Sequence, residues 1–268
     1  MKRLDYSSIN AAALLVALAC APLAAGAQAA STRSADGEVA IDQDAMTALN
    51  KMGEYLRTLK AFQVSAVVTD ESVMLDGEKV QTSSTADLVA ERPDHLRLSV
   101  TSDLQERLFL YDGKTFTLFA RRPNFYATVP APSTIVALVD TLDDRFGIEM
   151  PFVDLFRWGT PSSDADAITG ARDIGPSQID GVTCEQYAFR QAGLDWQVWI
   201  QEGDYPLPRK LVLTTLTDDA RPQHTAVYTW NLAPSVSETA FVFDPPSDAK
   251  KITFVEFAAA RAKAKKER

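Results

Sequence analysis

Apolar residues recur every three to four positions at Met46, Leu49, Met52, Leu56 and Leu59, and this spacing predicts an amphipathic helix ending near Lys60. Asp42 or Asp44 stands where a helix cap belongs, and Gly53 weakens the helix slightly. From Phe62 the period drops to two. Phe62–Met74 and Lys79–Glu91 flank Asp76-Gly77, a strong hairpin signal. Short strands follow at His95–Val100, Glu106–Tyr111, Lys114–Ala120 and Asn124–Val129, with breaks at Arg92-Pro93-Asp94, Ser102-Asp103, Asp112-Gly113 and Arg122-Pro123. Such short connections predict an antiparallel meander.

Pro130-Ala131-Pro132 closes the meander, and Ser133 or Thr134 caps a second helix carrying Ile135, Leu138, Val139, Leu142 and Phe146 on one face. After Gly147, Met150–Trp158 reads as a short, very apolar helical turn that ends at Gly159. Thr160–Asp166 is a polar loop, strands resume from about Ile168 through Ala233, and Thr253–Arg268 reads as a final helix with a basic end. The order is helix, about six strands, helical insert, about five strands, tail: an α+β chain built on an antiparallel sheet of about 11 strands.

The densest strand pattern is Asp180–Thr215. Asp180-Gly181 turns into Val182–Phe189, and Asp195–Gln201 alternates Trp196, Val198 and Ile200 against polar positions. Tyr205-Pro206-Leu207-Pro208 then forces the chain extended into Arg209–Thr215. The motifs Asp180-Gly181, Cys184, Phe189-Arg190, Asp195-Trp196, Trp199-Ile200, Gly203 and Pro206–Val212 resemble a family of predicted periplasmic proteins of unknown function. That family looks like a branch of the LolA/LolB/LppX lipoprotein-carrier superfamily. The resemblance extends more diffusely over Asp44–Phe243 and implies a curved, incompletely closed sheet, a half-barrel whose mouth is covered by helices. No residue here matches a named functional residue of LolA.

Charge and the N-terminus set the compartment. Met1–Asn10 is a short basic region, Ala11–Ala19 is apolar, and Ala25-Gly26-Ala27 and Ala27-Gln28-Ala29 both have the form of a signal cleavage site. The apolar run is shorter than the ~20 residues of a membrane span. The expected organisation is a signal peptide over residues 1–29 cleaved after Ala27 or Ala29, a disordered leader over 30–43, a LolA-like domain over 44–249 with its helical insert at 133–158, and a basic C-terminal helix over 250–268. Cys20 lacks Leu three residues upstream, which argues against a lipid anchor. It leaves with the signal, so Cys184 remains as an unpaired thiol, expected to be a small buried hydrophobe.

The net charge is −9, with positive ends that leave about −15 on residues 30–249. That balance argues against a nucleic-acid surface.

Candidate chemistry is sparse. His95 and His224 each stand without a second histidine at ligand spacing, and no G-x-S-x-G, H-E-x-x-H or phosphate-cradling loop occurs. Asp164-Ala165-Asp166 lacks the remaining ligands of a calcium loop, and Asp140, Asp143, Asp144 and Glu149 read as a solvated helix face. The expectation is therefore a non-enzymatic protein without metal or cofactor. Apolar content is the stronger signal. Phe146, Phe152, Phe156 and Trp158 crowd the helical insert, and with Val139 they are expected to face inward positions Leu98, Leu110, Phe116, Leu118, Val198 and Leu211. These eleven residues form the candidate site for an acyl chain of a lipid or lipoprotein, with Arg121, Arg122 or Arg157 as head-group contacts. The competing reading is an envelope structural, interaction or sensor protein whose core is filled, with an envelope protein as partner. Oligomeric state is open.

Overall fold

In the computed structural model, the structure describes residues 40–256 apart from Glu149. Helix α1 (Gln43–Thr58) opens this region. The Asp42 carboxylate caps it, accepting from the backbone N–H groups of Asp44 at 2.8 Å and Ala45 at 3.5 Å. Ala45, Leu49, Met52 and Leu56 form its buried face.

Six strands follow: β1 (Ala61–Val73), β2 (Lys79–Glu91), β3 (His95–Ser102), β4 (Glu106–Asp112), β5 (Thr115–Ala120) and β6 (Phe125–Pro130). The insert supplies α2 (Ile135–Phe146) and α3 (Asp154–Arg157). Two short 3-10 turns, Pro161–Ser163 and Ala165–Ala167, then lead to β7 (Gly170–Ile179), β8 (Val182–Gln191), β9 (Leu194–Gln201), β10 (Pro208–Thr215) and β11 (Gln223–Asn231). A twelfth strand, β12 (Lys250–Lys251), pairs in parallel with β6. α2 starts at a Thr134 cap and stops at Gly147, whose left-handed backbone (φ 60°) returns its N–H to the Asp143 carbonyl.

All twelve strands form one sheet in the order β12-β6-β5-β4-β3-β2-β1-β11-β10-β9-β8-β7. The order is linear, so the sheet is not closed. Laid flat, twelve strands at ~4.8 Å spacing would span about 50 Å, more than these helices can cover. Yet residues from β1–β5 and β7–β11 share one apolar cluster with α1, α2 and α3. The sheet therefore curves around its helices, and we call the helix-facing side the inner face.

Two expectations need correction, at Leu110 and in the C-terminal tail. Leu110 does not face inward. Leu108–Tyr111 is an unbroken apolar run that carries no phase in the sequence. The β4 pleat turns Phe109 and Tyr111 inward, while Leu108 and Leu110 join Phe119 in a separate outer cluster. To the eleven strands expected the sheet adds a twelfth, because the Lys250–Lys251 backbone reaches the β6 edge, with Lys250 donating to the Asn124 carbonyl at 2.9 Å. Thr253–Glu256, the start of the expected final helix, has no regular secondary structure. The rest of that helix, the signal peptide and leader residues 30–39 lie outside the described residues, while the end of the expected leader is ordered: Ile41 bridges Ala171 and Gln43 already begins α1.

Candidate functional site

The helical insert lies on the inner face, and its side chains enter that face one by one. Phe156 is fully buried, with its ring 6.0 Å from Phe62 of β1. Trp158 stacks on Trp196 of β9 at 6.5 Å, and Trp196 stacks on Phe189 of β8 at 4.3 Å. Phe152 lies 5.9 Å from Tyr228 of β11. It holds a left-handed backbone (φ 66°), a conformation that costs a bulky residue about 1–2 kcal/mol and that the packed ring must offset. Thus one short segment touches β1, β9 and β11.

Of the eleven candidate site residues, Leu98, Phe116, Val139, Phe152, Phe156, Trp158, Val198 and Leu211 belong to this single buried cluster. Leu118 and Phe146 pack against it half-buried. Leu110 is the exception described above. The rings of the cover are themselves buried in this layer: Phe152, Phe156 and Trp158 are 8%, 0% and 6% exposed. Hollows of about 180, 220 and 460 Å³ lie elsewhere: beside Arg172 and Trp196, between the outer face and residues 241–245, and along the loop 160–167.

Polar groups meet the apolar layer at three points that sequence reasoning missed. Arg92, between β2 and β3, places its guanidinium 5.2 Å from the Phe156 ring centre. It donates long bonds to the last-turn carbonyls of α1 (Leu56, 3.5 Å) and α3 (Leu155, 3.4 Å), while its buried Nε has no partner. Burial, and secondarily Arg57, lower its pKa. Asp154 is crowded by protein yet keeps a partial solvent opening, and desolvation raises its carboxyl pKa against the opposing pull of Arg157 and His224. Tyr228, buried opposite Asp154, has its phenol pushed up, first by desolvation and then by that carboxylate. Arg92-Pro93 reads as a chain break and Asp154 as an ordinary helix-start acid, so nothing in the sequence marks their burial.

The three arginines expected at a mouth are already engaged. Arg121 pairs with Glu106 at 3.2 Å, Arg122 donates to the Ser102 and Asp103 carbonyls, and Arg157 bonds Asp140 at 3.0 Å. Each histidine also sits beside an acid, His95 by Asp94 at 2.8 Å and His224 by Asp70 at 2.6 Å. Cys184 is buried on the outer face between Trp199 and Val212, and desolvation raises its thiol pKa, as suits a packing residue. Among the described residues, no group of three or more His, Cys, Asp or Glu side chains is placed to hold a metal ion.

A family profile described as "Predicted periplasmic protein (DUF2092)" matches residues 45–255, the whole sheet with its helices. The chain belongs to this family. As a DUF2092 member it also has fold likenesses among solved structures. LprF from Mycobacterium bovis is 14% identical, with a TM-score of 0.45 over 78% of this chain and 99% of that one. The Mycobacterium tuberculosis lipoprotein LppX is 13% identical, with a TM-score of 0.46 over 73% and 100%. A LolA superfamily protein from Nitrosomonas europaea is 10% identical, with a TM-score of 0.34 over 74% and 97%. No curated protein matches the sequence significantly.

Proposed function

We propose that this DUF2092 protein is a periplasmic, non-enzymatic binder of an apolar ligand, the acyl chain of a lipid or lipoprotein. It is exported by a signal peptide cleaved after Ala27 or Ala29. The observation that carries the reading is the inner apolar layer. It runs without interruption from Phe116 of β5 to Trp196 of β9, and it is covered by α1 and by a segment inserted between β6 and β7 rather than by a strand of the sheet. A cover of that kind can lift while the sheet's hydrogen-bonded ladder stays intact. Binding then needs no catalytic group. At ~0.8 kcal/mol per buried CH₂, ten methylenes supply about 8 kcal/mol, the micromolar range before ordering costs are subtracted.

One observation favours a second reading. Because Phe152, Phe156 and Trp158 are almost fully buried, the same layer serves as an ordinary core of an envelope interaction protein with no ligand. Lipid extraction and mass spectrometry of purified mature protein, with a fluorescent fatty-acid titration, separate the two. A co-purifying lipid and saturable probe binding support the binder. A lipid-free protein that binds no probe supports the filled core.

A further inference from the structure

After β11 the chain crosses to the outer face, where Phe241 meets the His95 ring at 5.1 Å and Phe243 packs on Phe119 and Tyr126 at 5.4 and 5.0 Å. It then rounds the β6 edge through β12, and Ile252 donates to the Tyr126 carbonyl at 2.8 Å. Two residues later it re-enters on the inner side. The Phe254 ring stacks on Phe116 of the sheet at 6.2 Å and packs on Phe146 of α2 at 5.4 Å. One strap thus passes from the outer face to the gap between the cover and the sheet.

The chemistry at that gap has two parts. Phe254 fills an apolar niche, and Glu256 places its carboxylate 2.5 Å from the Arg145 guanidinium, which itself lies 5.2 Å from the Phe146 ring centre. An apolar group followed by an anion, held by an aromatic niche followed by a cation, is the pattern of an amphiphile. The hold is weak. Arg145 and Glu256 are 56% and 52% exposed, so solvent screens their pairing. Val255 is 66% exposed, and beyond Ile252 the strap's backbone makes no hydrogen bond among the described residues.

We infer that the gap between α2 and the β5–β6 edge is the entry site for a single-chain anionic amphiphile, with Phe254 and Glu256 as its resident surrogate. This rests on the proposed binding function. The incoming chain displaces Phe254 from Phe116 and Phe146, and its anionic head replaces Glu256 on Arg145. The strap acts as a competitor tethered beside its site, so the apparent affinity for ligand is lowered by the fraction of molecules whose niche it fills.

The test compares a fluorescent fatty acid with the corresponding fluorescent fatty alcohol on mature wild type, Phe254→Ala, Glu256→Gln and Arg145→Gln, each checked for folding by a thermal melt. Phe254→Ala is expected to tighten both probes, by about tenfold if the strap fills the niche nine-tenths of the time. Glu256→Gln should tighten the acid more than the alcohol, since a looser strap favours both and only the acid gains the freed guanidinium, and Arg145→Gln should weaken the acid relative to the alcohol. Glu256 and Arg145 are surface residues, so their variants keep the test open should Phe254→Ala fold poorly. Wild-type binding that Phe254→Ala leaves unchanged or weakens overturns the inference while the binding function stands. Equal responses of acid and alcohol to Arg145→Gln overturn the head-group assignment. Absence of binding by wild type and every variant removes the binding function itself.

Discussion

Gly53 of α1 and Gly159, just beyond α3, touch backbone to backbone. A Cβ on Gly53 would stand 2.6 Å from the Gly159 nitrogen, and one on Gly159 would stand 2.6 Å from the Gly53 carbonyl carbon. Arg57 donates to the Gly159 carbonyl at 2.6 Å one turn further along α1. This contact joins the cover to the first helix. Gly→Ala at an exposed helix position gains up to ~1 kcal/mol of helix propensity. Gly53→Ala is expected to do the opposite and lose about 1–3 kcal/mol through overpacking against a backbone that cannot step aside. A urea melt decides it, and a stabilised variant would mean that α1 and the cover separate easily.

Phe156→Ala should be the most damaging truncation in the cover. Its ring contacts Phe62 and lies under Arg92, so the change opens a cavity and leaves a buried guanidinium facing it. The expected loss is ~3–5 kcal/mol by denaturant melt. If Phe152→Ala and Trp158→Ala cost clearly less and alter fatty-acid probe binding, the outer part of the cover moves to admit ligand. Equal large losses at all three, with no probe binding by wild type, favour the filled core.

Asp154 gives the cover a pH dependence whose sign follows from burial. Its folded pKa is raised, because desolvation outweighs Arg157 and His224, while Tyr228 faces it neutral. A group raised in this way supports the fold most below its unfolded pKa, and that support is lost as pH rises through the folded value. Asp154→Asn should therefore stabilise the protein at neutral pH, by on the order of 1 kcal/mol per unit of pKa shift removed. The gain should shrink as pH falls toward about 4, near the unfolded carboxylate value. Paired urea melts across that window check it, and a variant less stable than wild type at neutral pH would contradict the assignment.

The two faces of β3 and β4 can be told apart by function. Leu98→Ala and Leu110→Ala each remove a nearly fully buried leucine and should each cost about 2–5 kcal/mol. Only Leu98 lies in the inner layer, so only Leu98→Ala should change probe affinity. An equal effect of Leu110→Ala on binding would move the site to the outer face.

The order of elements was legible because each turn carries its own chemistry. Asp76-Gly77, Asp112-Gly113 and Asp180-Gly181 all stand at strand junctions, and Asp42 and Thr134 cap where their residue types imply. The phase of β4 was not legible, since a period-two rule needs polar positions to mark the outer face and Leu108–Tyr111 has none. The Met150–Trp158 turn was overextended, because its apolar residues satisfy separate neighbours on β1, β9 and β11 rather than one helical stripe. The strap was misread for a related reason. Phe254 and Phe257 stand at helical spacing, whereas the partners that place Phe254, Phe116 and Phe146, lie more than a hundred residues earlier and leave no local signal.

The place of β1 in the sheet has a consequence for how the chain acquires its structure. β1 is a central strand, flanked by β2 next in sequence and by β11, with Gln63 opposite Asn231 across 168 residues. The first half of the sheet can pair locally, yet its junction with the second half waits for β11 to be delivered. Loop closure on that scale slows folding, and until it happens β1 presents thirteen residues of open backbone edge. Under the export proposed above, a chain crossing N-terminus first would expose that edge for most of its passage. Truncation before Gln223 makes the exposure permanent, leaving β1 and β10 as two unpaired edges on molecules that can then pair with one another.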